Sequence, residues 1–178
     1  MKRSKGRRGK GPSRQHKTRP AARPRGQRPQ PTSYEFLGHP ADVGFVAHGK
    51  SLADAFVAAA EAMCDCGWES KGVRARETID IGVRAATVED LLFSWLSELL
   101  FLSDAERWVF KSFSISRLNA PPKERAPAAP WSLEAQARGE RFNARRHRAR
   151  TYIKAVTYHQ LAVKQKKQGW QATVYLDV

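Results

Sequence analysis

Acidic residues are missing from the first 33 positions, only two cysteines occur in 178 residues, and no apolar run approaches the length of a membrane span. Each shortage closes off a class of protein. Cys64 and Cys66, two positions apart, cannot staple a small secreted domain, so a reducing compartment, the cytoplasm, is the expected location. Without about 18 consecutive apolar residues, nothing is expected to cross a membrane. No apolar h-region follows the Arg/Lys-rich start, which therefore does not read as a secretory signal, nor Arg7-Arg8 as a twin-arginine signal. The phosphate-cradling patterns GxxxxGK[ST] and GxGxxG are absent, as is the GxSxG elbow, and nothing marks a Ser/His/Asp triad. No repeat of fixed period appears.

What the chain does hold is positive charge, unevenly placed. Lys and Arg number 32 against 17 Asp and Glu, a formal net charge of +15. Residues 1–33 carry 12 of the cations and no acid, together with five prolines, four glycines and no aromatic residue. Such a segment cannot bury enough surface to offset its ordering entropy, so 1–33 is expected to be a disordered basic tail. Residues 34–178 then hold 20 basic and 17 acidic residues, a net of +3 on a stretch long enough for its own core.

Within 34–178 the hydrophobic spacing alternates between strand and helix periods. Tyr34–Leu37 and Phe45–His48 read as short strands around the turn-forming run Gly38-His39-Pro40-Ala41-Asp42-Val43-Gly44. Ser51-Leu52-Ala53-Asp54 reads as a capping box. Leu52, Ala55, Phe56, Ala59, Ala60, Met63 and Cys66 follow on one helical face, with Cys64 off it and Gly67 expected at positive φ just past the end. Thr78–Arg84 is strand-like. Thr87 opens a second helix with Leu91, Leu92, Trp95, Leu96, Leu99, Leu100 and Leu102 on its stripe, widened by Phe93 and Phe101. Strands are expected at Trp108–Leu118, Trp131–Ala137, Thr151–Lys166 and Trp170–Val178, the last two joined through Lys167-Gln168-Gly169 with a left-handed glycine. Asn119–Pro130, with four prolines and four alanines, reads as a flexible surface insertion. The order predicts an α+β two-layer sandwich: one mostly antiparallel sheet with both helices packed on one face.

Chemistry is sparse. Asp177 is the penultimate residue, so its carboxylate lies near the α-carboxylate of Val178. Asp42 sits in the turn-rich loop before the second strand. These three oxygen donors suit Mg²⁺, Ca²⁺ or Mn²⁺ rather than Zn²⁺. Against that, Asp in such a loop commonly serves the turn itself, and a terminal Asp is commonly solvated. His39 and Asp42 lack the partners of a zinc site. His159 falls on the face Ile153, Ala155, Thr157, Leu161, Val163 and reads as a hydrogen-bonded core histidine, or one orienting a carboxylate. The basic run Arg145-Arg146-His147-Arg148 reads as a solvated loop, with phosphate contact as the alternative.

The motifs, taken in order, resemble the archease family. His39-Pro40-Ala41-Asp42-Val43-Gly44 is similar to its H-T-A-D-[IV]-G signature. Gly49-Lys50-Ser51-Leu52 into Ala55-Phe56, the run Leu91–Leu100, Lys154-Ala155-Val156-Thr157-Tyr158-His159 and the closing Leu176-Asp177-Val178 continue the match over 34–178. The resemblance implies a small α+β, non-catalytic protein. It would activate an RtcB-type RNA ligase in tRNA splicing or RNA repair by promoting its guanylylation and turnover, with Asp42, Asp177 and Val178 holding a divalent metal. Three departures stand out: Pro40 where Thr is usual, Asn143 where an Asp is frequent, and the tail and the 119–130 insertion, which have no counterpart in the family. Two other functions compete with this one: an RNA-binding module acting through the basic tail, and a metal-dependent phosphoester hydrolase using the same acids.

Overall fold

The computed structural model describes residues 33–37, 43–121 and 130–178. The tail expected over 1–33, the 38–42 loop with His39, Pro40 and Asp42, and residues 122–129 of the insertion lie outside these, apart from Ser33. Among the described residues, seven strands and two α-helices follow one another as β1 (Ser33–Leu37), β2 (Val43–Gly49), α1 (Leu52–Gly67), β3 (Glu77–Ala85), α2 (Val88–Ala105), β4 (Trp108–Asn119), β5 (Trp131–Arg141), β6 (Ala155–Lys166) and β7 (Gly169–Asp177), with a 3₁₀ turn at Ser70–Gly72.

The architecture is the expected α+β sandwich, but its strands form two antiparallel sheets where one was expected. One sheet has the order β1-β2-β7-β6 and the other β3-β5-β4. Both helices touch both sheets: α1 lies on β2, β7 and β4, and α2 lies on β6, β3 and β5. One continuous core results, with Phe45, Phe56, Leu92, Trp95, Leu96, Leu133 and Leu176 at its centre. Trp95 is fully buried because its indole N–H finds the Phe56 carbonyl at 3.2 Å.

Local chemistry explains the helix starts. Ser51 Oγ accepts from the Asp54 N–H while the Asp54 carboxylate accepts from the Ser51 N–H, closing the capping box. Thr87 Oγ1 likewise caps α2 through the Asp90 N–H. Gly67 is not a left-handed stop. It is the last residue of α1, and its carbonyl accepts from the Arg150 N–H. Phe101, expected on the buried stripe of α2, is 56% exposed.

Two strands depart by four residues from their expected bounds, the others by less. β5 runs on past Ala137 to Arg141, and β6 starts at Ala155, not Thr151. β6 is also broken by a wide bulge: Thr157 pairs with Tyr175 and Ala162 with Thr173, leaving Tyr158–Leu161 opposite a single residue, with Gln160 at φ 51°. The β6–β7 turn needs its glycine. Gly169 has φ 134°, and a Cβ there would stand 2.2 Å from the Gly49 carbonyl oxygen.

Candidate functional site

β7 carries Asp177 to the end of its sheet and sets it between two neighbours. On one side Val43, the first residue of β2, pairs with Leu176; on the other Ala155, the first of β6, pairs with Asp177. Lys154, just before β6, ties the terminus down. Its backbone N–H donates to the Asp177 carbonyl at 2.8 Å, its Nζ donates to the Val178 carbonyl oxygen at 2.8 Å, and Nζ stands 3.8 Å from Asp177 Oδ1. The Asp177 side chain remains about half exposed. Anionic oxygens at a strand end thus meet one ammonium, a contact that sequence reasoning missed. The signal was present, since Lys154 opens one of the motifs, but its partners lie more than twenty residues away.

The rest of that motif builds outward from the same place. Thr157 Oγ1 donates to the Tyr175 carbonyl at 3.0 Å. Tyr158 stacks on Phe93 of α2 with ring centroids 4.2 Å apart, and its hydroxyl donates to Asp90 Oδ1 at 3.1 Å. His159 is not a core histidine: the bulge turns it outward, where it is exposed, lies edge-on to Tyr175 at 5.3 Å, and shares a 3.1 Å contact with the Gln160 amide. Gly44 keeps space for the Tyr175 ring, which a Cβ at 44 would meet at 2.7 Å. Motifs distant in sequence therefore converge on the last strand.

Of the three expected metal ligands, Asp177 and Val178 are adjacent at this sheet end, and Asp42 lies outside the described residues. Among the described residues no group of three or more His, Cys, Asp and Glu is arranged to hold a metal. The donors that are described are oxygens of the kind a hard divalent ion takes: the half-exposed Asp177 carboxylate beside Val178. Neither thiol is activated. Burial pushes the Cys64 pKa up, and the Asp65 and Glu61 carboxylates push it further; burial also raises that of Cys66.

A second charged cluster lies around the 142–150 loop, and it corrects the reading of that loop as simply solvated. Glu140, 3% exposed, accepts two bonds from Arg146 at 2.8 and 2.9 Å and one from the Arg74 N–H at 3.0 Å. Arg76 Nε adds a contact at 3.7 Å. His147 is equally buried. Its Nδ1 accepts from the Asn143 N–H at 3.1 Å, so Nε2 carries the proton and donates to Glu140 Oε1 at 3.0 Å. The Arg146 fork, aided by His147 and the Arg74 N–H, outweighs the burial of Glu140 and holds its carboxyl down to about 2. Asn143, the second departure from the motif pattern, builds the turn: its Oδ1 accepts from the Arg145 N–H, and its carbonyl accepts from the N–H groups of Arg146 and His147.

Comparison with known proteins gives one consistent answer. The Archease protein family model matches residues 34–178. "Protein archease" of Methanosarcina barkeri is 35% identical over 84% of this chain and 98% of its own length. That of Sulfolobus acidocaldarius is 33% identical over 83% of this chain and 99% of its own. The solution structure of Methanobacterium thermoautotrophicum protein 1598 superposes with a TM-score of 0.67 at 29% identity, covering 82% of this chain and 98% of that one.

Proposed function

The chain belongs to the Archease protein family, and on that premise we propose that it is a non-catalytic accessory protein that activates an RtcB-type RNA ligase in tRNA splicing or RNA repair. It promotes guanylylation of the ligase and its return to a new cycle, in the cytoplasm. Asp42, Asp177 and the Val178 carboxylate are the residues that would hold a divalent ion, Ca²⁺, Mg²⁺ or Mn²⁺. Such an ion would offset the repulsion among phosphates and carboxylates in a ligase cleft.

One observation supports this reading above the others: the β2 start, the Lys154 motif and the chain end meet at one end of the sheet. Asp42 is bonded to Val43, whose register partner Leu176 is bonded to Asp177. Lys154 fixes the terminus by three contacts without covering the Asp177 carboxylate. A terminus held this way presents anionic oxygens to a partner at little further cost in entropy.

The experiment is ligase guanylylation with GTP, with and without the full chain. Asp177→Ala should abolish stimulation while leaving the circular dichroism spectrum and melting temperature unchanged. Full stimulation by that variant sinks the proposal. Turnover of a phosphoester by the protein alone would point instead to the hydrolase reading.

A further inference from the structure

The domain's modest net charge conceals two poles. Residues 69–76 and 138–150 carry nine cations against two acids, Glu69 and Glu140, so the other residues of 34–178 carry a net of −4. The fold joins these two segments into one surface. Glu69 N–H donates to the Arg148 carbonyl at 2.9 Å, Trp68 bridges Ala149, and Gly72 lies against the Arg146 carbonyl so closely that a Cβ would stand 2.4 Å from its oxygen. Glu140 is used up inside, drawing Arg146 back and leaving Arg145 and Arg148 exposed on either side of the buried pair. Among the described residues, Lys71, Arg74, Arg138, Arg145 and Arg148 are exposed and their side chains meet no carboxylate.

We propose that this basic face, centred on Lys71, Arg145 and Arg148, binds the phosphodiester backbone of single-stranded nucleic acid. Three features favour that ligand over an acidic protein. All six cations in 138–150 are arginines, whose planar forks match phosphate oxygens two at a time. The face is bordered by an aromatic group: Phe142 is half-buried, tilted on Trp68 at 5.3 Å and on His147 at 6.0 Å, and holds the Arg107 guanidinium 5.0 Å from its ring centre, which adds one more arginine beside the loop. The loop is also rigidly built, since the buried Glu140 cluster and the Asn143 turn fix its backbone before any ligand arrives. The face adjoins the chain end as well: Arg150 and Lys154 are four residues apart, at most about 14 Å between Cα atoms.

The test uses the full chain and a fluorescein-labelled 20-nucleotide single strand, as RNA and as DNA, read by anisotropy over 50–300 mM salt. Two triple variants of equal charge change are compared: Lys71→Glu/Arg145→Glu/Arg148→Glu, and the control Lys164→Glu/Lys166→Glu/Lys167→Glu on the β6–β7 hairpin. The face variant should lose at least about tenfold in affinity, and its salt slope should fall by about 2, as expected for three lost phosphate contacts on a single strand. The control should lose less than about threefold. Losses in both RNA and DNA arms support backbone recognition, and a loss confined to RNA narrows it to the ribose-bearing strand. Equal losses in both variants would show that net charge and the tail suffice, and overturn the proposal. So would unchanged binding by the face variant, whether or not it had lost ligase stimulation; a loss of stimulation would assign the face to a protein partner.

Discussion

Glu140→Gln isolates the buried charge cluster, because it keeps the shape of the side chain and removes only the charge and one acceptor. In the native protein Glu140 Oε1 faces Arg146 Nη1 and Oε2 faces Nη2, at 2.8 and 2.9 Å. A Gln amide sets an NH₂ against one of those donors and leaves Arg146 without its counter-charge. Removing one partner of a buried ion pair costs about 3–5 kcal/mol; Arg146 is 28% exposed and partly rehydrates, so the lower end applies, about 3 kcal/mol. The same Arg146 contacts make the loss pH-dependent, since they hold the Glu140 carboxyl down to about 2 from an ordinary 4.5. The sign follows. A depressed carboxyl stabilises the fold fully above its unfolded value, near 4.5, and the contribution drains away as pH falls towards about 2. Urea unfolding followed by tryptophan fluorescence at pH 7, 5, 4 and 3 should show the native protein about 3 kcal/mol more stable than the variant at pH 7, with the gap closing below pH 4.5. Equal stability at pH 7 would refute the cluster's energetic role. A gap that stays constant on acidification would show that the loss comes from packing and not from charge.

Two other substitutions and treatments read out separate parts of the fold. Gly169→Ala should cost about 2 kcal/mol or more, because φ 134° strains any L side chain and the new Cβ would press on the Gly49 carbonyl; a melting temperature within a degree of native would contradict the tightness of that turn. Native-state alkylation of Cys64 and Cys66 by iodoacetamide at pH 8 should be slower than in urea by about a hundredfold, since burial and, at Cys64, the Asp65 and Glu61 carboxylates disfavour both thiolates; mass spectrometry showing rapid labelling of either would overturn this.

The helices were legible because their signals are local. Ser51 and Thr87 act on N–H groups three residues on, and the apolar stripes of α1 and α2 repeat within each helix. Sheet membership was not legible for the opposite reason. Alternation in β5, with Leu133, Ala135 and Ala137 buried and Glu134, Gln136 and Arg138 exposed, tells which face is covered but not which strand lies alongside. A single sheet and two sheets write the same pattern. β6 shows the sharper failure. Ile153 and Val163 are buried as their shared parity predicts, yet between them Val156 is buried and His159 exposed, because the strand has not begun at Ile153 and a bulge intervenes before Val163. A four-residue bulge shifts the alternation without leaving a glycine or proline to announce it.

The two charged sites divide along the same line. Asp177 could be singled out from sequence as the acid of the closing Leu176-Asp177-Val178 motif. Its partner Lys154 could not, since only the Ala155–Asp177 register brings the ammonium to the chain end. Glu140 was hidden more deeply. A lone acid among six arginines reads as a residue lost in solvent, and the same composition reads its loop as a solvated run. Burial reverses both readings at once. With Glu140 inside, Arg146 and His147 must turn inward to satisfy it, and the arginines that remain outside face no acid of their own segment. The cost of burying one carboxylate is thus what organises the exposed cations beside it. The protein's charge is then best described by where its acids are buried or tied down: Glu140 beneath a cationic face, and Asp177 held beside Lys154 at the chain end.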